Sequence, residues 1–139
     1  MARERSARGL LAGPRRGDVG PYAASVLREA MADWFEVERD LPWMTMAVPV
    51  RAARRAQVPA VVHADGTSRP QTVTAREAPV LHDLIRRFEA LTGVPMLLNT
   101  SLNRQAPIVR TAAEALDLFL DTGLDRLCLG GAMVRRPRG

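Results

Sequence analysis

Lysine is missing altogether: the twenty basic residues of the 139-residue chain are all arginine, against fifteen acids and a formal net charge of +5. Schiff-base chemistry and any other mechanism that needs a lysine amine are thereby excluded. Arginine's planar fork favours phosphates and carboxylates. Aromatic residues are scarce at 4%, and the arginines fall in scattered pairs (Arg15 and Arg16, Arg54 and Arg55, Arg86 and Arg87, Arg135 and Arg136). Without a basic helix or a stacking platform, nucleic acid is not an expected partner. The single cysteine, Cys128, cannot close an internal disulfide, and its setting in the apolar run LCLGG suggests a buried structural thiol. No apolar run is long enough to span a membrane, and MARERSARGLLAGPRRG has too short an apolar segment for a secretory signal. A cytoplasmic chain without a membrane partner is the expectation.

What is present has a globular balance, 47% hydrophobic and 25% charged. Residues 1–20 are rich in Arg, Gly and Pro and read as a flexible arm; residues 21–136 read as one domain, and 137–139 as a tail. From Ala23 to Val37, apolar residues at three- and four-residue spacing (Val26, Leu27, Ala30, Met31, Trp34, Phe35) suggest an amphipathic helix. WMTMAVPV, residues 43–50, alternates like a strand, and residues 51–57 read as a polar connector with a helical turn. PAVVHADGTSRPQTV suggests two strands around an Asp65-Gly66 turn.

A helix from Pro79 to Gly93 would carry the apolar stripe Leu81, Leu84, Ile85, Phe88 and Leu91. The strand Val94–Leu98 follows and breaks into the polar cluster Asn99, Thr100, Ser101 and Asn103. Thr111 and Glu114 form a capping box for a helix with apolar face Ala115, Leu116, Phe119 and Leu120, stopped by Gly123. Strands at 127–129 and 132–134 close the chain around Gly130-Gly131. This order implies a single α+β domain with a mixed open β-sheet and packed helices.

Two polar clusters sit at expected strand ends, where ligands of open sheets gather. Asn99, Thr100, Ser101 and Asn103 offer amides and hydroxyls that orient a phosphate or an amide and do no acid–base work. The other cluster carries His63, Asp65, Thr67, Arg69 and Gln71, of which Arg69 supplies the charge a phosphate needs. His63 reads first as a structural hydrogen-bonding residue, and His82 as a surface one. His63, His82 and Cys128 lack zinc-site spacing, so no metal is assigned.

The ordered strings GPYAASVL, VPAVVHADGTSRPQTV, TGVPMLLNTSLN and PIV, then TGLDRLCLG, resemble the C-terminal domain of the O-carbamoyltransferase family from about Pro21 to Val134. Nodulation-factor and antibiotic carbamoyltransferases belong to that family. The resemblance implies a fold similar to YrdC-like threonylcarbamoyl-adenylate synthases, binding ATP and carbamoyl phosphate as substrates, with magnesium accompanying the ATP, and forming carbamoyl-adenylate. A separate metal-dependent N-terminal-type domain protein would pass the carbamoyl group to a hydroxyl of a small-molecule acceptor, such as a sugar or secondary metabolite.

Carried over, Asp65-Gly66-Thr67-Ser68-Arg69-Pro70-Gln71 matches the family's Asp-Gly-Thr-x-Arg-x-Gln, and Ser101-Leu102-Asn103 its Ser-x-Asn. The resemblance implies Arg69, Ser101, Asn103, Thr100 and Thr67 as nucleotide and carbamoyl phosphate ligands, with His63, Asp65, Gln71 and Asn99 shaping the loops. Three departures stand out: the family's Lys-x-Arg element has no counterpart, Gly20 replaces an arginine, and Arg104-Gln105-Ala106 replaces a stretch with Gly-Glu. These departures leave a second expectation, a non-catalytic remnant or interaction module that keeps the fold.

Overall fold

The structure is a computed structural model that describes residues 22–103 and 107–136. The arm at 1–20, the Arg104-Gln105-Ala106 departure and the tail lie outside the described residues. The chain divides into two compact units, the first ending at Thr100 and the second beginning at Ser101.

The first unit is built on a three-stranded mixed sheet whose centre is β1, Ala23–Leu27. β1 runs parallel to β4, Pro70–Val73, and antiparallel to β5, Met96–Asn99. The expected helix from Ala23 is therefore corrected to a strand. Every residue of β1 is buried, so it carries no polar face to reveal a two-residue period, and a continuous apolar run of this kind fits helix and strand alike. Helical backbone begins only with a 3-10 turn at Arg28–Ala30 and the short α1, Met31–Trp34.

The long alternating strand at 43–50 shrinks to β2, Val48–Pro49, which pairs with β3, Thr67–Ser68. Trp43 is 78% exposed and Met44 takes a positive φ of 53°, a backbone that breaks strand geometry. The expected hairpin at 59–73 keeps its turn but not its first strand: Pro59–Val61 is a 3-10 turn, and β3 finds its partner in β2 instead. A 3-10 helix at Ala52–Gln57 supplies the helical turn expected of the connector.

α2, Pro79–Thr92, starts on proline and ends on Gly93 in the left-handed conformation, as the sequence indicates. It packs on β5 and β1 through the buried Ile85, with Leu81 and Phe88 half-buried against the core. Leu84 and Leu91 of the expected stripe are exposed, which narrows the contact face to one residue per turn. Leu27, Met31, Phe35, Val50, Ile85 and Met96 form the fully buried centre of this unit.

In the second unit α3, Ala112–Asp121, opens on the expected cap, the Thr111 hydroxyl accepting from the Glu114 backbone N–H at 3.2 Å. The Glu114 carboxylate turns back to the Arg110 N–H at 2.7 Å, completing the reciprocal cap one residue upstream of its usual target. Ala115 and Phe119 bury against Leu127, while Leu116 and Leu120 stay exposed. β6, Arg126–Leu129, and β7, Ala132–Arg135, form the expected terminal hairpin, with Gly130 at φ 54° in its turn. Strand alternation points Leu127 inward and Cys128 outward, so Cys128 is exposed and the expectation of a buried thiol is corrected.

The helices and small mixed sheets together are α+β in kind. No helix among the described residues is long and apolar enough to cross a membrane.

Candidate functional site

Three strings that lie far apart along the chain meet on the sheet of the first unit. β1 contributes Ser25, β4 contributes Gln71, and β5 ends on Asn99. The Ser25 hydroxyl donates to Gln71 Oε1 at 2.9 Å, and Asn99 Nδ2 donates to Gln71 Oε1 at 3.0 Å and to Ser25 Oγ at 2.9 Å. Gln71 Nε2 donates to the Pro42 carbonyl at 3.2 Å. A polar cluster inside a sheet is tolerable only when its groups satisfy one another, and here each strand supplies a partner for the next two. Gln71 and Asn99, expected to shape loops, sit in strands and lock the sheet together.

The Asp65-Gly66 turn forms as expected and is tied by short-range bonds. His63 N–H donates to the Thr67 carbonyl at 2.7 Å, and Gly66 N–H to the His63 carbonyl at 2.9 Å. Asp65 Oδ1 accepts from the Thr67 N–H at 2.9 Å and from its hydroxyl at 2.7 Å. Those two bonds, backbone first, hold the Asp65 carboxyl below its ordinary range, with a smaller contribution from the charge of His63. The Thr67 hydroxyl spends its proton on Asp65, so at 3.0 Å its oxygen takes the Nδ1–H of His63. His63 Nε2 is left buried and without a partner among the described residues, as is the Ser68 hydroxyl. His63, Asp65 and Thr67 are thus one hydrogen-bonded cluster.

Arg69 is exposed between β3 and β4 and takes no ion-pair partner among the described residues, leaving its guanidinium available to an anion. Thr100 is exposed just beyond the end of β5. In the second unit the Ser101 hydroxyl donates to Asn103 Oδ1 at 2.6 Å, and the Asn103 N–H reaches the Ser101 carbonyl at 3.1 Å, a tight turn at the start of the unit. A cavity of about 380 Å³ in that unit lies between Ile108–Arg110 and the α3 residues Glu114, Asp117 and Leu118. None of the site residues expected from sequence lines it.

Sequence reasoning missed two contributors. Ser25 sits unremarked in the apolar AASVL, where a single polar residue in a buried run is itself the signal of a partner waiting across the sheet. Arg55 stands in sequence only as half of a scattered arginine pair, yet its guanidinium lies over Gly66, only 2.6 Å from where a Cβ would stand, and its Nε donates to the Val50 carbonyl at 2.9 Å. Its neighbour Arg54 stacks over Trp34, 4.8 Å from the ring centroid. His82 is half-buried on α2 and bonds Glu29 at 2.9 Å, so its expected surface role is corrected to a tie between elements. Among the described residues, no group of three or more His, Cys, Asp or Glu is placed to hold a metal ion.

The chain matches the family model described as "Carbamoyltransferase C-terminus" over residues 12–136. It is 40% identical over 126 residues to nodulation protein NolO of Bradyrhizobium diazoefficiens, covering 88% of this chain and 23% of that protein. The same identity and length hold for NolNO of Sinorhizobium fredii, covering 88% of this chain and 18% of that one. Nodulation protein U of Rhizobium tropici is 35% identical over 83 residues, 60% of this chain and 14% of that protein. The chain therefore spans about a fifth of the length of the curated relatives NolO and NolNO. With a match running over nearly the whole sequence, the chain belongs to the carbamoyltransferase C-terminus family.

Proposed function

We propose that the chain is the substrate-activating module of a carbamoyl transfer, binding ATP and carbamoyl phosphate and joining them into carbamoyl-adenylate. The observation that carries this reading is the meeting of AASVL, PQTV and MLLN, each part of a string that resembles the family, on one three-stranded sheet knitted by Ser25, Gln71 and Asn99. Three of the strings that resemble the family in sequence are thus placed side by side by the fold. A YrdC-like arrangement is part of the same proposal.

In this reading Arg69 steadies phosphate oxygens with a charged fork that no protein carboxylate occupies among the described residues. Thr100 lends a hydroxyl donor, and the sequence resemblance implies Thr67, Ser101 and Asn103 as further ligands of the same substrate. His63 and Asp65 hold the loop that carries Thr67 and Arg69. The residues present suit an anionic, oxygen-rich substrate that needs orientation and charge rather than a protein nucleophile. Transfer of the activated carbamoyl group to a hydroxyl of a small-molecule acceptor falls to a separate metal-dependent domain, and the whole system works in the cytoplasm.

A second reading, a folded module without turnover, is favoured by one observation, the complete absence of lysine. Thermal unfolding of the full chain with ATP plus carbamoyl phosphate separates the two, since a ligand that binds only the folded state raises the melting temperature. A rise that falls back in Arg69→Ala and Ser101→Ala supports the first reading; an unchanged melting temperature at saturating ligand leaves the second.

A further inference from the structure

The amide of Asn99 has only one orientation compatible with its neighbours. The Pro42 carbonyl can do nothing but accept. Because Gln71 bonds that carbonyl at 3.2 Å, the atom it presents there is the donor Nε2, and Oε1 must face the other way. Oε1 then accepts from both Ser25 and Asn99. The atom Asn99 turns inward is accordingly Nδ2, and its two hydrogens are committed, one to Gln71 Oε1 and one to Ser25 Oγ. What remains is Oδ1. It takes no partner among the described residues, and it is not among the buried side-chain atoms left unpartnered, so solvent reaches it.

We propose that Asn99 Oδ1 is the specificity element of the site, a pre-aimed acceptor for the –NH2 of the carbamoyl group, with Ser25 and Gln71 as the positioning residues that forbid it to flip. The inference rests on the carbamoyl phosphate reading above and deepens it. Asn99 closes β5 at the strand end where the polar residues begin. A freely rotating asparagine offers either a donor or an acceptor and discriminates poorly. One locked by its two bonds to Gln71 and Ser25 offers an acceptor alone. The closest competitor of a carbamoyl group is an acetyl group, in which a methyl replaces the amino group at nearly equal size and equal charge. A fixed acceptor rewards the amine and leaves the methyl facing an unpaired oxygen.

The test titrates the full chain, with ATP present, against carbamoyl phosphate and separately against acetyl phosphate, reading each midpoint from the melting shift. The wild-type chain should bind carbamoyl phosphate about tenfold more tightly or better, the worth of one well-made hydrogen bond. Asn99→Leu should collapse that ratio towards one by weakening carbamoyl phosphate alone, and Gln71→Met should lower it by releasing the amide. A merely structural role would weaken both ligands in step and leave the ratio unchanged. Equal binding of the two phosphates by the wild-type chain overturns this inference while the carbamoyl phosphate reading stands. Binding of neither overturns both. Because the decisive comparison is made on the unmodified chain, a variant that fails to fold leaves it intact.

Discussion

His82 Nε2 and Glu29 Oε1 lie 2.9 Å apart, joining α2 to the turn that follows the central strand. Burial raises the Glu29 carboxyl, but bonds from its own backbone N–H and from His82, with the charges of His82 and Arg86, outweigh it and leave the group below its ordinary value of 4.5. A carboxyl lowered in the folded state stabilises the fold above the unfolded value, and that contribution is lost as the pH falls through the folded one. The window is therefore below about 4.5. In His82→Ala, melting temperatures measured at neutral pH and at acid pH should lie closer together than in the wild type. The difference will be small, since Glu29 is half-exposed and water screens the pair.

Gly66→Ala is expected to destabilise the first unit by about 1–2 kcal/mol. The residue sits at φ 83°, where an L side chain is strained, and the new Cβ would stand 2.6 Å from the Arg55 guanidinium carbon. The guanidinium can swing away, at the expense of its bond to Val50. A lowered urea midpoint with unchanged slope is the measurement.

Ile85→Ala and Leu91→Ala remove similar amounts of side chain from the same helix face expected from sequence. Ile85 is fully buried and Leu91 is 86% exposed. The first should cost about 2–5 kcal/mol and the second within about 0.5 kcal/mol, checked by denaturant unfolding.

Arg136→Ala should loosen the second unit. Its Nη2 donates to the carbonyls of Phe119 at 2.6 Å and Leu120 at 2.8 Å, and to that of Thr122, while the guanidinium lies 5.3 Å from the Phe119 ring centroid. Those carbonyls end α3 and otherwise lack helical partners, so losing their cation should cost about 1–2 kcal/mol. Faster amide exchange along α3, with β1 and β5 unaffected, is the expected pattern.

Where local chemistry decides, the sequence was legible. Pro79 and Gly93 bracket α2, Thr111 caps α3, and Gly130-Gly131 turns the last hairpin, because each of these signals acts within a few residues. Where the partner is distant, legibility failed. β1 looked helical because the strands that pair with its two edges lie far along the chain. Thr67–Ser68 looked like half of a hairpin because nothing local reveals that Val48–Pro49 is its partner. The same limit governs the site. His63, Asp65 and Thr67 are close in sequence and bond one another, whereas Gln71 of the same expected cluster bonds Ser25 and Asn99, partners that only the sheet brings near.

The arrangement of that sheet also bears on how the chain reaches its folded form. Ser25 bonds Gln71 across a separation of 46 residues and Asn99 across one of 74. The central strand emerges first and must wait for both of its neighbours. Closing loops of that length precedes any reward from pairing, so collapse of this unit should be slow beside helix formation in α2. Until Met96–Asn99 arrives, β1 presents an apolar edge to the solvent, and that interval is when aggregation competes with folding.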